Sequence, residues 1–125
     1  MIAVDSSTFI HGLNGVRSSA VDLMRRAAAE ERLVLPEVVV TEILSFARAT
    51  PDLRDVLSVF PRIPVLEGFW DRTGETRRTL LKLGLKARLG DSLVAQSCLD
   101  AGLPLIAGDT DFRHFVVHCG LKLAT

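Results

Sequence analysis

The 125-residue chain predicts an α/β fold, a doubly wound (α/β/α) parallel sheet of five strands in a single domain spanning 1–125. Two observations carry this expectation. Short apolar runs of strand length recur along the chain, separated by segments with helical spacing, and strands alternating with helices pack as a parallel sheet covered on both faces. Two of these runs, Met1-Ile2-Ala3-Val4 and Leu103-Pro104-Leu105-Ile106-Ala107, are each followed closely by acid: Asp5 after the first, Asp109 and Asp111 after the second. If those strands are parallel neighbours, their acids meet at one sheet edge, where open α/β folds place ligands.

Residues 2–4 form the first strand. Asp5-Ser6-Ser7-Thr8 is rich in capping residues and opens a short helix through about His11, broken by Gly12 and Gly15. Val21, Met24 and Ala28 give a helix from about Ser18 to Glu31. Arg32-Leu33-Val34-Leu35 is the second strand, stopped by Pro36, which suits the first turn of a helix carrying Val39, Ile43 and Phe46 to about Arg48. A short helix from Pro51 to about Phe60 precedes an edge strand, Ile63-Pro64-Val65-Leu66, placed at the edge because its proline cannot donate to a ladder. A helix from about Phe69 to Leu83 is capped by Gly84, and another begins at Asp91 and ends at Gly102. The fourth strand is 103–107. A loop with a helical turn follows from Asp109 to Phe115, and Leu121-Lys122-Leu123 is the fifth strand.

Composition narrows the function. Fifteen basic and fifteen acidic residues give zero net charge, which argues against a purely electrostatic nucleic-acid coat but leaves room for local binding. Two cysteines form no disulfide framework, so a reducing cytoplasm is the default compartment. No apolar run reaches the roughly 20 residues that cross a bilayer, and the N-terminus lacks the pattern of a signal peptide.

Five acids stand out: Asp5, Glu42, Asp91, Asp109 and Asp111. Asp5 and Asp91 also read as helix caps, and Asp109 and Asp111 as turn residues. Glu42 is harder to dismiss. Of its helical neighbours Val38, Val39, Ser45 and Phe46, three are apolar, so its carboxylate leans toward a buried face and needs a partner, either an arginine or a metal. Clustered carboxylates repel unless a cation lies between them, which points to Mg²⁺ or Mn²⁺.

In these residues the chain resembles the PIN-domain family, and within it toxins of the VapC type. Ile2-Ala3-Val4-Asp5-Ser6-Ser7 resembles the family's apolar strand followed by Asp-x-Ser. Glu42, early in the helix after the second strand, matches its glutamate, and Gly90-Asp91-Ser92-Leu93-Val94-Ala95 its third acid. Ile106-Ala107-Gly108-Asp109-Thr110-Asp111-Phe112 resembles the closing Thr-x-Asp-x-Asp-Phe, with Ala107 where the family usually has threonine. Each motif alone is weak; four in register over the whole chain make a specific signal. The resemblance implies a metal-dependent endoribonuclease with Asp5, Glu42, Asp91 and Asp109 at the metal. Asp111 would be the less constant ligand, and Ser7 would orient a carboxylate by hydrogen bonding. It implies further an RNA substrate, an antitoxin partner and a homodimer, with the first two helices and the Glu42 helix as candidate surfaces.

The stretch from Arg72 to Arg88 holds six basic residues against one acid, Glu75. Arg78, Lys82, Lys86 and Arg88 read either as a grip on an RNA backbone beside the acids or as a solvated helix face. Trp70 reads as packing more readily than as a base-stacking platform, and Cys98 as core. His114 and His118 are four apart, but Val116-Val117 argue against a helix that would bring them together on zinc. Two rival functions remain. One is a PIN scaffold that binds RNA or protein without catalysis. The other is a Mg²⁺-binding receiver domain, which needs an aspartate after the middle strand where this chain has Glu67-Gly68.

Overall fold

The structure is a computed structural model that describes residues 1–46, 48, 50–108 and 110–124. Four strands are named in it: β1 (Ile2–Val4), β2 (Leu33–Pro36), β3 (Arg62–Ile63) and β4 (Leu105–Ile106). They form a parallel sheet in the order β3-β2-β1-β4. Ala3 is the hinge of the register, opposite Val34 on one side and Leu105 on the other. The chain winds outward from β1 through β2 to β3, then crosses back to place β4 on the other flank of β1. The crevice between β1 and β4 is therefore the switch point at which doubly wound sheets bind ligands.

The helices are α1 (Ser6–Leu13), α2 (Ser19–Ala29), α3 (Glu37–Leu44), α4 (Leu53–Ser58), α5 (Phe69–Lys82), α6 (Leu89–Ala101) and α7 (Arg113–Cys119). Local signals explain where several begin and end. The Asp5 carboxylate accepts the Thr8 backbone N–H at 3.0 Å and starts α1. The Ser18 hydroxyl does the same for Val21 at 3.1 Å and starts α2. After α5 the chain reverses through Gly84, whose φ of +74° is costly for any residue with a Cβ.

The core lies along the sheet. Ala3, Val4, Leu35 and Leu105 are fully buried, and Val39, Ile43, Leu80, Val94, Ala95 and Cys98 close over them from the helices. Burial pushes the Cys98 thiol up to about 12, which keeps it an inert core residue. Phe112 and Phe115 are also buried, their rings 6.1 Å apart, and fasten α7 and the turn before it to the body.

Several expectations need correction. The sheet has four strands rather than five. Leu121-Lys122-Leu123 reaches it only as a parallel bridge between Leu105 and Leu123, held by the Leu105 N–H to the Lys122 carbonyl and the Ala124 N–H to the Leu105 carbonyl. Among the described residues the ladder goes no further than that bridge. The edge strand stops at Ile63, before Pro64, because proline offers no N–H. Pro36 ends β2 inside the ladder and caps α3 from there. The helix of Glu42 ends at Leu44, so Phe46 lies beyond it and is exposed. The α7 helix does span His114 and His118: Val116 and Val117 are tolerated because Phe112 and Phe115 fix the helix by packing, and β-branching is a weak preference against that. Trp70 is 67% exposed rather than packed.

Candidate active site

Parallel strands bring the C-terminal ends of β1, β2 and β4 to one edge, and the acids gather there by strand and helix position. Asp5 follows β1 and is buried. One of its carboxylate oxygens caps α1 through Thr8; the other accepts the Ser7 hydroxyl at 3.2 Å. The cap reading of Asp5 is thus borne out, and it leaves the site reading open, since capping fixes the carboxylate's direction.

Glu42 lies in the second turn of α3, half-buried, as its apolar neighbours require. Its partner is the Ser6 hydroxyl, which donates to Oε1 at 3.2 Å, rather than an arginine. Burial raises the Glu42 carboxyl above its ordinary 4.5. The Ser6 hydrogen bond pulls it back part of the way, and the negative charge of Asp5 pushes it up again. Asp5 and Glu42 therefore sense each other's charge, although 37 positions separate them in the chain.

The third element is α6. Its N-terminal flank is Arg88, so Asp91 is the third residue of the helix and not its cap. Gly90, one residue earlier, faces Glu42: a Cβ there would lie 3.2 Å from Oε2. A side chain at this position would crowd the α3 carboxylate by a few tenths of an ångström. Asp91 faces a cavity of about 190 Å³ that Asp111 also lines, with Lys86, Arg88, Arg113 and His114 as its basic wall. Asp109 lies outside the described residues. Next to it, a Cβ on Gly108 would lie 3.8 Å from the Thr8 hydroxyl, which is buried without a hydrogen-bond partner among the described residues.

The structure thus brings Asp5, Ser7, Glu42 and the Gly90-Asp91 turn to one sheet edge, and Asp91 and Asp111 to one cavity. Sequence reasoning missed Ser6 and Gly90. Both were legible in principle, as a hydroxyl directly after the strand-end acid and as a residue without a side chain directly before the helix acid. Of the basic stretch, Arg72 is taken by a bidentate ion pair with Asp100, at 3.0 and 2.6 Å, and Arg77 donates to the Ala87 carbonyl at 2.8 Å. Arg78, Lys82, Lys86 and Arg88 remain exposed.

The donors present suit a hard divalent cation. All are carboxylate oxygens, and a Mg²⁺-type ion needs only one or two of them, with water and substrate phosphate filling the rest of its shell. Burial raises the Glu42 carboxyl, and the charge of Asp5 adds to the rise, so a cation nearby would relieve both acids. Among the described residues no three His, Cys, Asp or Glu side chains close on a common point. A cation here would rest on the carboxylate pair and water, with Asp91 on the adjoining turn.

Comparison with known proteins bears on the family and the fold. The sequence pattern of the PIN domain matches residues 2–117. Among curated proteins no sequence matches. Three similar solved structures are toxin–antitoxin assemblies. VapBC2 from Rickettsia felis, bound to a DNA fragment from its promoter, superposes with a TM-score of 0.78 at 18% identity, over 99% of this chain and 98% of that one. VapBC-5 from Mycobacterium tuberculosis gives 0.70 at 20% identity, over 98% and 95%. A toxin–antitoxin complex from Klebsiella pneumoniae gives 0.66 at 19% identity, over 90% of each chain.

Proposed function

Because this chain belongs to the PIN-domain family, we propose that it is a divalent-metal-dependent endoribonuclease and the toxin half of a toxin–antitoxin pair. The observation that carries the reading is the placement of two carboxylates from different elements at the C-terminal edge of the sheet: Asp5 after β1 and Glu42 on α3, held by the consecutive hydroxyls of Ser7 and Ser6 at 3.2 Å each.

Nucleases of this family use divalent ions, and here Mg²⁺ or Mn²⁺ would polarise an attacking water and offset charge on the phosphate. Asp5, fixed by Thr8 and Ser7, would hold the ion with Glu42; Asp91, Asp109 and Asp111 would complete or support the set. Ser6 occupies Glu42 Oε1, which leaves Oε2 suited to take the proton of the attacking water. The 3′ oxygen would leave, giving 5′-phosphate and 3′-hydroxyl ends. Arg78, Lys82, Lys86 and Arg88 would hold the RNA backbone beside the acids.

As a toxin the protein would work in the cytoplasm. Among the described residues no helix is long and apolar enough to cross a membrane. An antitoxin segment would silence it by placing an arginine or lysine among Asp5, Glu42 and Asp91, where a charge-assisted contact replaces the cation. Exposed apolar side chains, among them Leu44, Phe46, Trp70 and Leu81, offer area for the homodimer.

The test is cleavage of single-stranded and structured RNA by the purified protein with Mg²⁺, with Mn²⁺ and with EDTA. Cleavage with metal that stops in EDTA and leaves 5′-phosphate ends is the expected result. Full activity in EDTA overturns the metal mechanism.

A further inference from the structure

The cavity beyond Asp91 continues from the acidic edge, but most of its charged lining is basic. Its acids, Asp91 and Asp111, are outnumbered by Lys86 and Arg88 from the segment before α6 and by Arg113 from α7, and His114 adds a ring that can donate a hydrogen bond. These side chains come from chain segments 25 or more residues apart, so no run of basic sequence accounts for their meeting. Arg113 and His114 lie outside the basic stretch and outside every acidic motif. Their placement follows from Phe112 and Phe115, which are buried on either side of them and fix the start of α7.

A nucleic acid approaching carboxylates alone would be repelled. A wall of fixed cations beside them would hold the neighbouring phosphate while the acids attend to the scissile one. The cavity, at about 190 Å³, has room for about six waters at ~30 Å³ each, and so for a phosphate group with part of its hydration. Arginine suits a phosphate by its planar fork, lysine as a point charge.

We infer that this cavity, with Arg113, Lys86 and Arg88 as its cationic wall and His114 as an added donor, is a subsite for a phosphodiester of single-stranded RNA flanking the bond that is cut. This deepens the ribonuclease reading and rests on it for the identity of the substrate. Arg113 and Lys86 are positioning residues for the RNA rather than catalytic ones.

The experiment uses full-length protein carrying Asp5→Asn, so that binding is read without cleavage, and a fluorescently labelled mixed-sequence RNA oligonucleotide. Its affinity is followed by anisotropy over a range of salt. Each lost phosphate contact should flatten the slope of log affinity against log salt by about 0.7 for a single strand. Adding Arg113→Gln should weaken binding several-fold and flatten the slope by that amount, Arg113→Lys should restore the slope, and Arg54→Gln on α4 should change neither. If Arg113→Gln disturbs the circular dichroism spectrum, Lys86→Gln on the opposite wall carries the same expectation.

Cleavage by the otherwise wild-type protein separates the two readings. Flattening of the slope in a protein that cuts no RNA leaves the subsite standing and removes the nuclease. Cleavage whose KM and salt slope are untouched by Arg113→Gln and Lys86→Gln removes the subsite and leaves the nuclease. RNA that fails to bind at all overturns the subsite. So does a poly-glutamate peptide that binds as tightly as the RNA and is lost with Arg113→Gln, since the cavity would then belong to an acidic protein segment.

Discussion

Glu42 and Asp100 are both sheltered carboxylates, on helices α3 and α6 that pack together, and the protein treats them in opposite ways. Asp100 lies in the last turn of α6, where the helix dipole disfavours negative charge. The Arg72 guanidinium meets it with two hydrogen bonds and holds its carboxyl below the usual value; burial opposes this, and the Gln96 amide at 2.8 Å adds to it. Glu42 is raised by burial; one serine hydroxyl pulls it back in part, and the charge of Asp5 pushes it up again. The first carboxylate is satisfied by the fold. The second is held in a state that an added cation would improve. That contrast distinguishes an acid that the fold pairs from one that the proposed metal site would use.

The sharpest way to break the contrast is to neutralise one acid from each side. Asp5→Asn keeps a good helix cap while removing charge, so it should preserve the fold and cut RNA cleavage by about three orders of magnitude, the equivalent of several kcal/mol of lost charge stabilisation. Asp100→Asn should leave cleavage near wild type and lower the melting temperature, because Arg72 loses its partner. Initial rates and thermal melts of the two variants decide the matter. A dead Asp100→Asn with a live Asp5→Asn would reverse the assignment.

A smaller effect is expected from Ser6→Ala. Without the hydroxyl that draws Glu42 down, its carboxyl should rise further and bind metal more weakly, by about 10–100-fold if Ser6 acts as supporting groups around metal sites usually do. Titration calorimetry with Mg²⁺ measures this, and unchanged affinity would make Ser6 a bystander.

The pH dependence of stability should carry both signs. Glu42 has a raised folded value, so its contribution is fully present below 4.5 and is lost as pH rises through the raised value. Asp100 has a lowered folded value, so its contribution is present above 3.8 and is lost as pH falls through the lowered one. In EDTA, Glu42→Gln should therefore be at least as stable as wild type at pH 7, and that advantage should vanish toward pH 4. The deficit of Asp100→Asn should persist to pH 4 and shrink below it. Melts at intervals of pH would expose either sign if it is wrong.

The smallest effect concerns Thr8, whose buried hydroxyl lacks, among the described residues, the pairing that Ser6 and Ser7 enjoy. Thr8→Val removes an unsatisfied group at nearly constant shape and should stabilise the apo protein by up to about 1–3 kcal/mol. Denaturant titration tests it, and a clear loss of stability would mean the hydroxyl is engaged.

How far the sequence could be read follows from the reach of its signals. The winding order and the meeting of β1 with β4 were legible because buried parallel strands are continuous apolar runs and their acids follow directly. Asp5, Ser7 and Glu42 fell where the motifs put them for the same reason. The fifth strand was overdrawn, because Leu121-Lys122-Leu123 has strand composition while its ladder among the described residues is a single bridge. The α7 helix was underdrawn, because the packing of Phe112 and Phe115 outweighs two β-branched residues. Ser6 and Gly90 escaped notice because their parts depend on a partner in another element, and pairing at that distance leaves no local periodicity.

Gly90 has a consequence for engineering this protein. It sits in the first turn of α6, where alanine would favour the helix by up to about 1 kcal/mol, and a stability-guided redesign would replace it. The added methyl would crowd Glu42 Oε2 at 3.2 Å, and that carboxylate would have to yield by a few tenths of an ångström. If the nuclease reading holds, thermostability and activity would then part company at a residue with no functional group of its own, and a screen for heat resistance would select against cleavage without touching any of the acids.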